Sequence, residues 1–340
     1  MLQRVPDYFD AFHCLAGRCP RSCCIGWEVE IDGDTAAAYA AVSGPLGNEL
    51  RCQLQQDEDG ALCFPLSGRR CPFLDGENLC RIHRELGQEY TSITCREHPR
   101  FTEDFGPLRE ISLSASCPET ARLLCSGTAP LTFRETLLPE EDEPGDEWLE
   151  PLLAVRDAAM AILAVQTVPV RRRMAQILTL AAAAQALLDD DRAEELPALC
   201  RVPTDPPVVS AAAAPLFPAA LEMLSALEIL DGDWCPLLTA GKEGGPPLPD
   251  ILLERLTEYF LFRWLLKAVN DGDLLGRVQL ALFSVLTVER LASHAESAED
   301  ALCRFCREIE HCEENMDALR EAFLWDESFS ADTFFRELLS

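Results

Sequence analysis

With 340 residues, 48% of them hydrophobic, and a mean hydropathy near zero, the chain is long enough for two domains or one large core. A formal net charge of −29 excludes a nucleic-acid binder that works through phosphate contacts, and it suits docking to a basic partner. No clean apolar run of about 20 residues is present, since 251–268 carries Glu254, Arg255, Glu258 and Arg263, and 274–288 carries Arg277; with acidic residues in the opening MLQRVPDYFDAF where a signal peptide would be apolar, a cytoplasmic protein without a membrane partner is expected.

Residues 1–127 read as a small, loop-rich α+β domain. Glu28-Val29-Glu30-Ile31-Asp32 alternates with the period of a half-buried strand, and Ile111-Ser112-Leu113-Ser114 does so weakly. Asp34 or Thr35 is positioned to cap a short helix over 35–42, which Ser43-Gly44-Pro45 stops. Large apolar residues are few here, so a bound metal would supply stability that a core does not. Residues 128–146 read as a linker, and the acidic, Pro- and Gly-bearing stretch 139–146 should be exposed. Residues 147–340 carry helical periodicity, with helices expected at 147–166, 170–189, 216–230, 249–270, 272–295, 298–311, 313–324 and 331–339. The fold class is therefore mainly α, with a cysteine-rich amino-terminal domain ahead of an all-helical one.

Sixteen cysteines need an explanation, and eleven of them fall within the first 125 residues. In a reducing compartment metal binding or catalysis is the default rather than disulfides. The leading cluster is Cys14, Cys19, Cys23 and Cys24; Cys71, Cys80, Cys95 and Cys117 follow in ligand-like contexts. Four thiolates satisfy a tetrahedral zinc or a four-iron–four-sulfur cluster, and eight would serve two centres. Cys52, Cys63, Cys125, Cys200, Cys235, Cys303, Cys306 and Cys312 read as small buried hydrophobes. Counting on from Cys19 and Cys23, the third position of the usual radical S-adenosylmethionine motif is Gly26, so that motif is absent. No G-x-G-x-x-G loop occurs either, so a dinucleotide-type cofactor fold is not indicated.

The pattern resembles the flagellin lysine-N-methylase family, whose amino-terminal part is related to cysteine-rich zinc- or iron-chelating domains. The resemblance runs through Pro6, Tyr8, Phe12, Cys14, Cys19 and Cys23-Cys24-Ile25-Gly26-Trp27, then Asp32, Thr35 and Tyr39. It continues in Cys71-Pro72-Phe73-Leu74, Leu79-Cys80, Leu86-Gly87, Cys95, His98-Pro99-Arg100 and Ser112-Leu113-Ser114 with Ser116-Cys117-Pro118-Glu119. A second stretch covers Tyr259 to Arg263 and Arg307-Glu308-Ile309-Glu310-His311 with Asn315. One departure is His98, where the family more often has an aromatic hydroxyl side chain. The resemblance implies methyl transfer from S-adenosylmethionine to lysine side chains of flagellin, and a cysteine-ligated 4Fe-4S cluster, with zinc as the alternative.

Such a transfer needs a neutral amine, a sulfonium held in line and the exclusion of water. A solvated lysine amine holds its proton up to a pKa of about 10.4, so a carboxylate or a neutral histidine must help. His311 is the first candidate, with Glu308 and Glu310 beside it; helical spacing places His311 and Asn315 on one face and Glu308 one turn earlier. Tyr259 and Arg263 lie one turn apart, and Arg263 is placed to anchor a cofactor or substrate carboxylate, with Tyr259 and Asn315 as further cofactor-binding candidates. Ordinary amphipathic packing explains the same spacings. The rival function is a non-enzymatic zinc- or iron-binding protein whose helices hold a partner.

Overall fold

A computed structural model describes residues 1–57, 60–139, 143–209 and 214–340. Its six strands are β1 (Leu2–Pro6), β2 (Gln55–Gln56), β3 (Leu62–Cys63), β4 (Arg100–Asp104), β5 (Leu108–Leu113) and β6 (Phe133–Leu137). The amino-terminal part adds helices α1 (Gly33–Ala41), α2 (Gly44–Gln53), α3 (Arg81–Leu86), α4 (Ile93–Glu97) and α5 (Pro118–Cys125). Beyond it come α6 (Leu149–Leu163), α7 (Val170–Asp189), α8 (Leu196–Leu199), α9 (Leu216–Ala226), α10 (Trp234–Ala240), α11 (Asp250–Trp264), α12 (Ala268–Asp271), α13 (Leu274–Ala292), α14 (Ala298–Glu310), α15 (Glu313–Trp325) and α16 (Ala331–Leu339). The fold is mainly α with a small α+β portion at the amino end, as the sequence led us to expect.

Local chemistry sets several boundaries. The Asp32 carboxylate, rather than Asp34 or Thr35, caps α1 by accepting from the Thr35 backbone N–H. Ser92 caps α4 and Ser297 caps α14 in the same way. The helix expected over 249–270 resolves into α11, a tight turn at Leu265–Lys267 and α12, which Gly272 closes in the left-handed conformation. Residues 28–32 do not form the expected strand. Glu30 makes a lone bridge to Cys63, and Glu28 accepts from the Leu66 backbone N–H instead, because the available partner strand is only two residues long.

Of the six strands the sequence reading met only β5; β2, β3 and β4 escape it, and so do β1 and β6. β1 sits inside the sheet order β4-β5-β1-β6, parallel to β5 and antiparallel to β6. Its signal is masked by Arg4, whose charge belongs to cross-strand pairs with Glu110 and Glu135. β6 lies in the stretch expected as a linker; of the acidic run 139–146, residues 140–142 lie outside the described residues, and the others are exposed.

Two cores organise the chain. A small one gathers Ile31, Tyr39, Leu46, Leu50, Phe64, Phe73 and Ile82, with Cys71 and Cys80 packed against it. The large one centres on α13, buried on nearly every side, and takes in α7, α11 and α14. Leu108 and Leu113 of β5 and Ala121 and Leu124 of α5 belong to this second core. Arg156 of α6 clamps Glu110 of β5 through two 2.6 Å bonds with both side chains buried. The cysteine loops are tied to the helices as well. Arg21 pairs with Asp231 and Asp300, and Arg307 of α14 donates to the Ile25 carbonyl at 2.9 Å. No helix among the described residues is long and apolar enough to cross a membrane.

Candidate metal centre and acceptor pocket

Four of the candidate cysteines line one apolar cavity. Cys24, Cys71, Cys80 and Cys95 share it with Tyr39, Phe64 and Ile82 of the small core. The backbone brings them together. The Cys71 N–H donates to the Cys24 carbonyl at 2.9 Å, Leu74 bridges Cys80, and the Ser92 cap holds Cys95 in the first turn of α4. Burial pushes the Cys71 thiol up to about 12 and that of Cys95 up to about 11, whereas the Cys23 thiol holds Cys24 down at about 7. Thiolates gathered in so apolar a place need a cation to offset their desolvation, so the donor set fits a thiolate-bound metal.

The remaining candidates, Cys14, Cys19, Cys23 and Cys117, do not line this cavity. Cys23 opens instead onto a neighbouring pocket of about 370 Å³, which also contains Trp27, Cys95, Glu97, His98, Phe101, Glu310 and His311. Trp27 and Cys95 therefore belong to the walls of both spaces. Gly26, at φ +110°, lets the chain turn from the cysteines into Trp27, whose ring lies between the Arg307 guanidinium at 4.4 Å and the stacked His311 ring at 4.3 Å.

Of the three candidate acid–base residues, two face this pocket. His311 Nε2 and Glu310 Oε1 are buried and have no hydrogen-bond partner among the described residues. The other Glu310 oxygen accepts from Arg263 at 2.9 Å and from Ser114 at 2.5 Å. Glu308 points elsewhere and accepts from the backbone N–H groups of Leu230 and Asp231; burial raises it to about 7 against those bonds. The expected shared face of His311 and Asn315 does not form, because α14 ends at Glu310 and α15 begins at Glu313. Asn315 instead staples the Glu228 carbonyl and backbone N–H to the Glu308 carbonyl.

The two remaining cofactor candidates stand behind the pocket wall. The Tyr259 hydroxyl accepts from the Ala115 N–H at 2.8 Å. Arg263 donates to Ser112 and Glu310 and stacks on Phe101, 4.6 Å from its centroid. Trp27, Glu97 and Phe101 are pocket residues that the acid–base search passed over. Their signal was proximity in sequence to Cys23, Cys24 and Cys95.

Burial, aided by the Arg307 charge, holds His98 down at about 4, and burial with the neighbouring His98 and Arg307 charges holds His311 at about 3. Both imidazoles are neutral in the folded chain at neutral pH. In the unfolded chain they bind protons near pH 6.5, so stability that is present above pH 6.5 is lost as pH falls towards 4 and 3. We expect a His98→Asn/His311→Asn double variant to lose less unfolding free energy than the wild type between pH 6.5 and 4, by about 5 kcal/mol. An unchanged slope would show that the two rings are not buried as described.

The chain is 30% identical over 126 residues to the flagellar biosynthetic protein FliU of Salmonella muenchen, a match covering 35% of this chain and 75% of that protein. It is 28% identical over 142 residues to the lysine-N-methylases of Salmonella typhimurium and Salmonella choleraesuis, 40% of this chain. The chain belongs to the lysine-N-methylase family. Its match spans about a third (35%) of the length of the two proteins that carry that name. No family model and no solved structure matches the chain.

Proposed function

We propose that this member of the lysine-N-methylase family is a protein-lysine N-methyltransferase, which uses S-adenosylmethionine to methylate lysine side chains of flagellin. The observation that carries the reading is the pocket of about 370 Å³ beside the thiol cavity, which His311 and Glu310 line and where each of them has a buried polar atom without a hydrogen-bond partner. That volume lies in the range of small-ligand sites. Trp27, Val29 and Phe101 form a wall for the aliphatic stem of a lysine, and Glu97 and Glu310 supply negative charge for its ammonium or for a sulfonium.

Glu310 Oε1 receives the ammonium and is placed to hold a proton from it, while Arg263 and Ser114 fix the other oxygen. His311, kept neutral, accepts an N–H hydrogen bond at Nε2 and turns the nitrogen lone pair towards the methyl donor. We assign the orientation of the amine to His311, which burial holds near pKa 3, and the proton to the Glu310 carboxylate that lines the same pocket. The attack forms a C–N bond as the C–S bond of the sulfonium breaks, and S-adenosylhomocysteine leaves. Such a displacement needs no radical.

The second part of the reading is a cysteine-ligated iron–sulfur cluster. Among the described residues no three of the eight candidate sulfurs lie within 4.8 Å of one another. Four thiolates around one zinc, with Zn–S near 2.3 Å, would stand about 3.8 Å apart. A multi-iron cluster spreads its four thiolates further apart, and Cys24, Cys71, Cys80 and Cys95 would hold it next to the pocket wall at Cys95.

Anaerobically purified protein incubated with flagellin and methyl-labelled S-adenosylmethionine should place label on flagellin lysines, and none on flagellin whose amines are chemically blocked. Folded, metal-loaded protein that transfers no label would leave a metal-binding protein with a helical partner-binding part.

A further inference from the structure

A methyl donor of the sulfonium type carries more than its reacting centre. Its methionyl end bears a carboxylate a few bonds from the sulfur, and for in-line transfer that end must share the space that holds the amine. The walls of the pocket include two carboxylates, Glu97 and Glu310, and a single arginine, Arg100. Arg263, which its sequence pattern put forward as the carboxylate anchor, is committed to Ser112 and Glu310 behind the wall. Arg307 is committed as well, to the Ile25 carbonyl and the Trp27 ring.

Arg100 is held differently. It opens β4, and its guanidinium lies over two rings, 5.7 Å from the Phe9 centroid and 5.4 Å from that of Phe12. Both rings pack against the large core, which gives the guanidinium a fixed seat. Stacking on an aromatic face holds a guanidinium without using its N–H groups. Among the described residues the Arg100 side chain forms no ion pair and donates no hydrogen bond, although the chain carries 58 acidic residues against 29 basic ones. The planar fork of donors is therefore uncommitted, and it matches a carboxylate through two parallel bonds.

We propose that Arg100 binds the α-carboxylate of the methyl donor's methionyl end in this pocket. The inference rests on the methyltransferase reading above and deepens it. Charge then sorts the ligands: Arg100 takes the carboxylate, while Glu97 and Glu310 supply the negative charge for the sulfonium and the amine. A donor that carries both signs is thereby favoured in one direction, as in-line transfer demands.

The test is calorimetric binding of S-adenosylhomocysteine to the full, metal-loaded chain, beside that of its decarboxylated analogue. Wild type should bind the carboxylate-bearing compound about 10- to 150-fold more tightly, the range for hydrogen bonds to a charged group. Arg100→Gln should bind the two alike, and Arg100→Lys, which keeps the charge but not the fork, should recover part of the difference. In methylation assays Arg100→Gln should raise the KM for S-adenosylmethionine by a similar factor and leave the KM for a lysine peptide unchanged. Equal binding of the two compounds by wild type overturns the assignment and needs no variant to fold. So does an undiminished preference in Arg100→Gln. A loss that falls on the KM for the peptide also overturns it and gives Arg100 to the acceptor. If wild type does not bind S-adenosylhomocysteine at all, the methyl-donor reading falls and this inference with it. Wild-type transfer with an indifferent Arg100 overturns the inference alone.

Discussion

Glu310→Gln lowers the methylation kcat by about 10²–10⁴, the cost of removing a proton acceptor, and leaves the iron content unchanged. The argument is one of placement. Glu310 is the last residue of α14 and lines the pocket, with one oxygen engaged by Arg263 and Ser114 and the other buried without a hydrogen-bond partner. Glutamine keeps an oxygen for Arg263 and cannot hold the proton. His311→Ala should cost less. It removes an orienting acceptor worth about 1–3 kcal/mol, or roughly 5- to 150-fold in rate. Kinetics with a lysine peptide or flagellin, alongside melting temperatures, separate these effects. Wild-type rates in both variants would remove the acceptor role from this pocket, and a larger loss for His311→Ala would return the proton to histidine.

The helical half was legible because its signals are local and long. The span of α7, 170–189, and that of α16, 331–339, follow from periodicity alone, whereas the short α8 and α10 were not anticipated and the helix expected over 249–270 is broken. Of the eight candidate cysteines, the structure gathers Cys24, Cys71, Cys80 and Cys95 around one cavity, a grouping that their spacing in sequence did not reveal. What the sequence hid are partnerships across long separations. Arg263 reads as a free anchor from its own helix, yet its partner Glu310 lies 47 residues on, and Ser112 lies 151 residues back. Glu308 looks equivalent to Glu310 until the 228–231 segment is placed against it. The break at His311 and Cys312 is likewise invisible to a helical wheel. It is set by the tertiary demand that Asn315 bind Glu228 and the end of α14 together. β1 was missed because a single charged residue breaks its alternation, and that charge is offset only by Glu110 and Glu135, more than a hundred residues away.

Arg263→Met destabilises the protein by about 3–5 kcal/mol, the largest folding effect we expect from one substitution at the site. Arg263 and Glu310 are both almost fully buried, with 6% and 2% of their side chains exposed. Removing the guanidinium leaves the Glu310 carboxylate in a dry setting with Ser114 as its remaining donor, and strips Phe101 of the cation over its ring. Methionine preserves most of the volume, so the loss reads as electrostatic rather than as a cavity. The companion measurement is the double variant Arg263→Met/Glu310→Gln. With the stranded charge gone, the double variant should lose less stability than the two single losses added together, the difference being an interaction energy of about 0.5–3 kcal/mol. Denaturant midpoints of the four proteins give that energy directly. Simple additivity would mean that the pair contributes packing and no charge compensation, and Glu310 would then lose the fixed orientation on which its role in proton transfer depends.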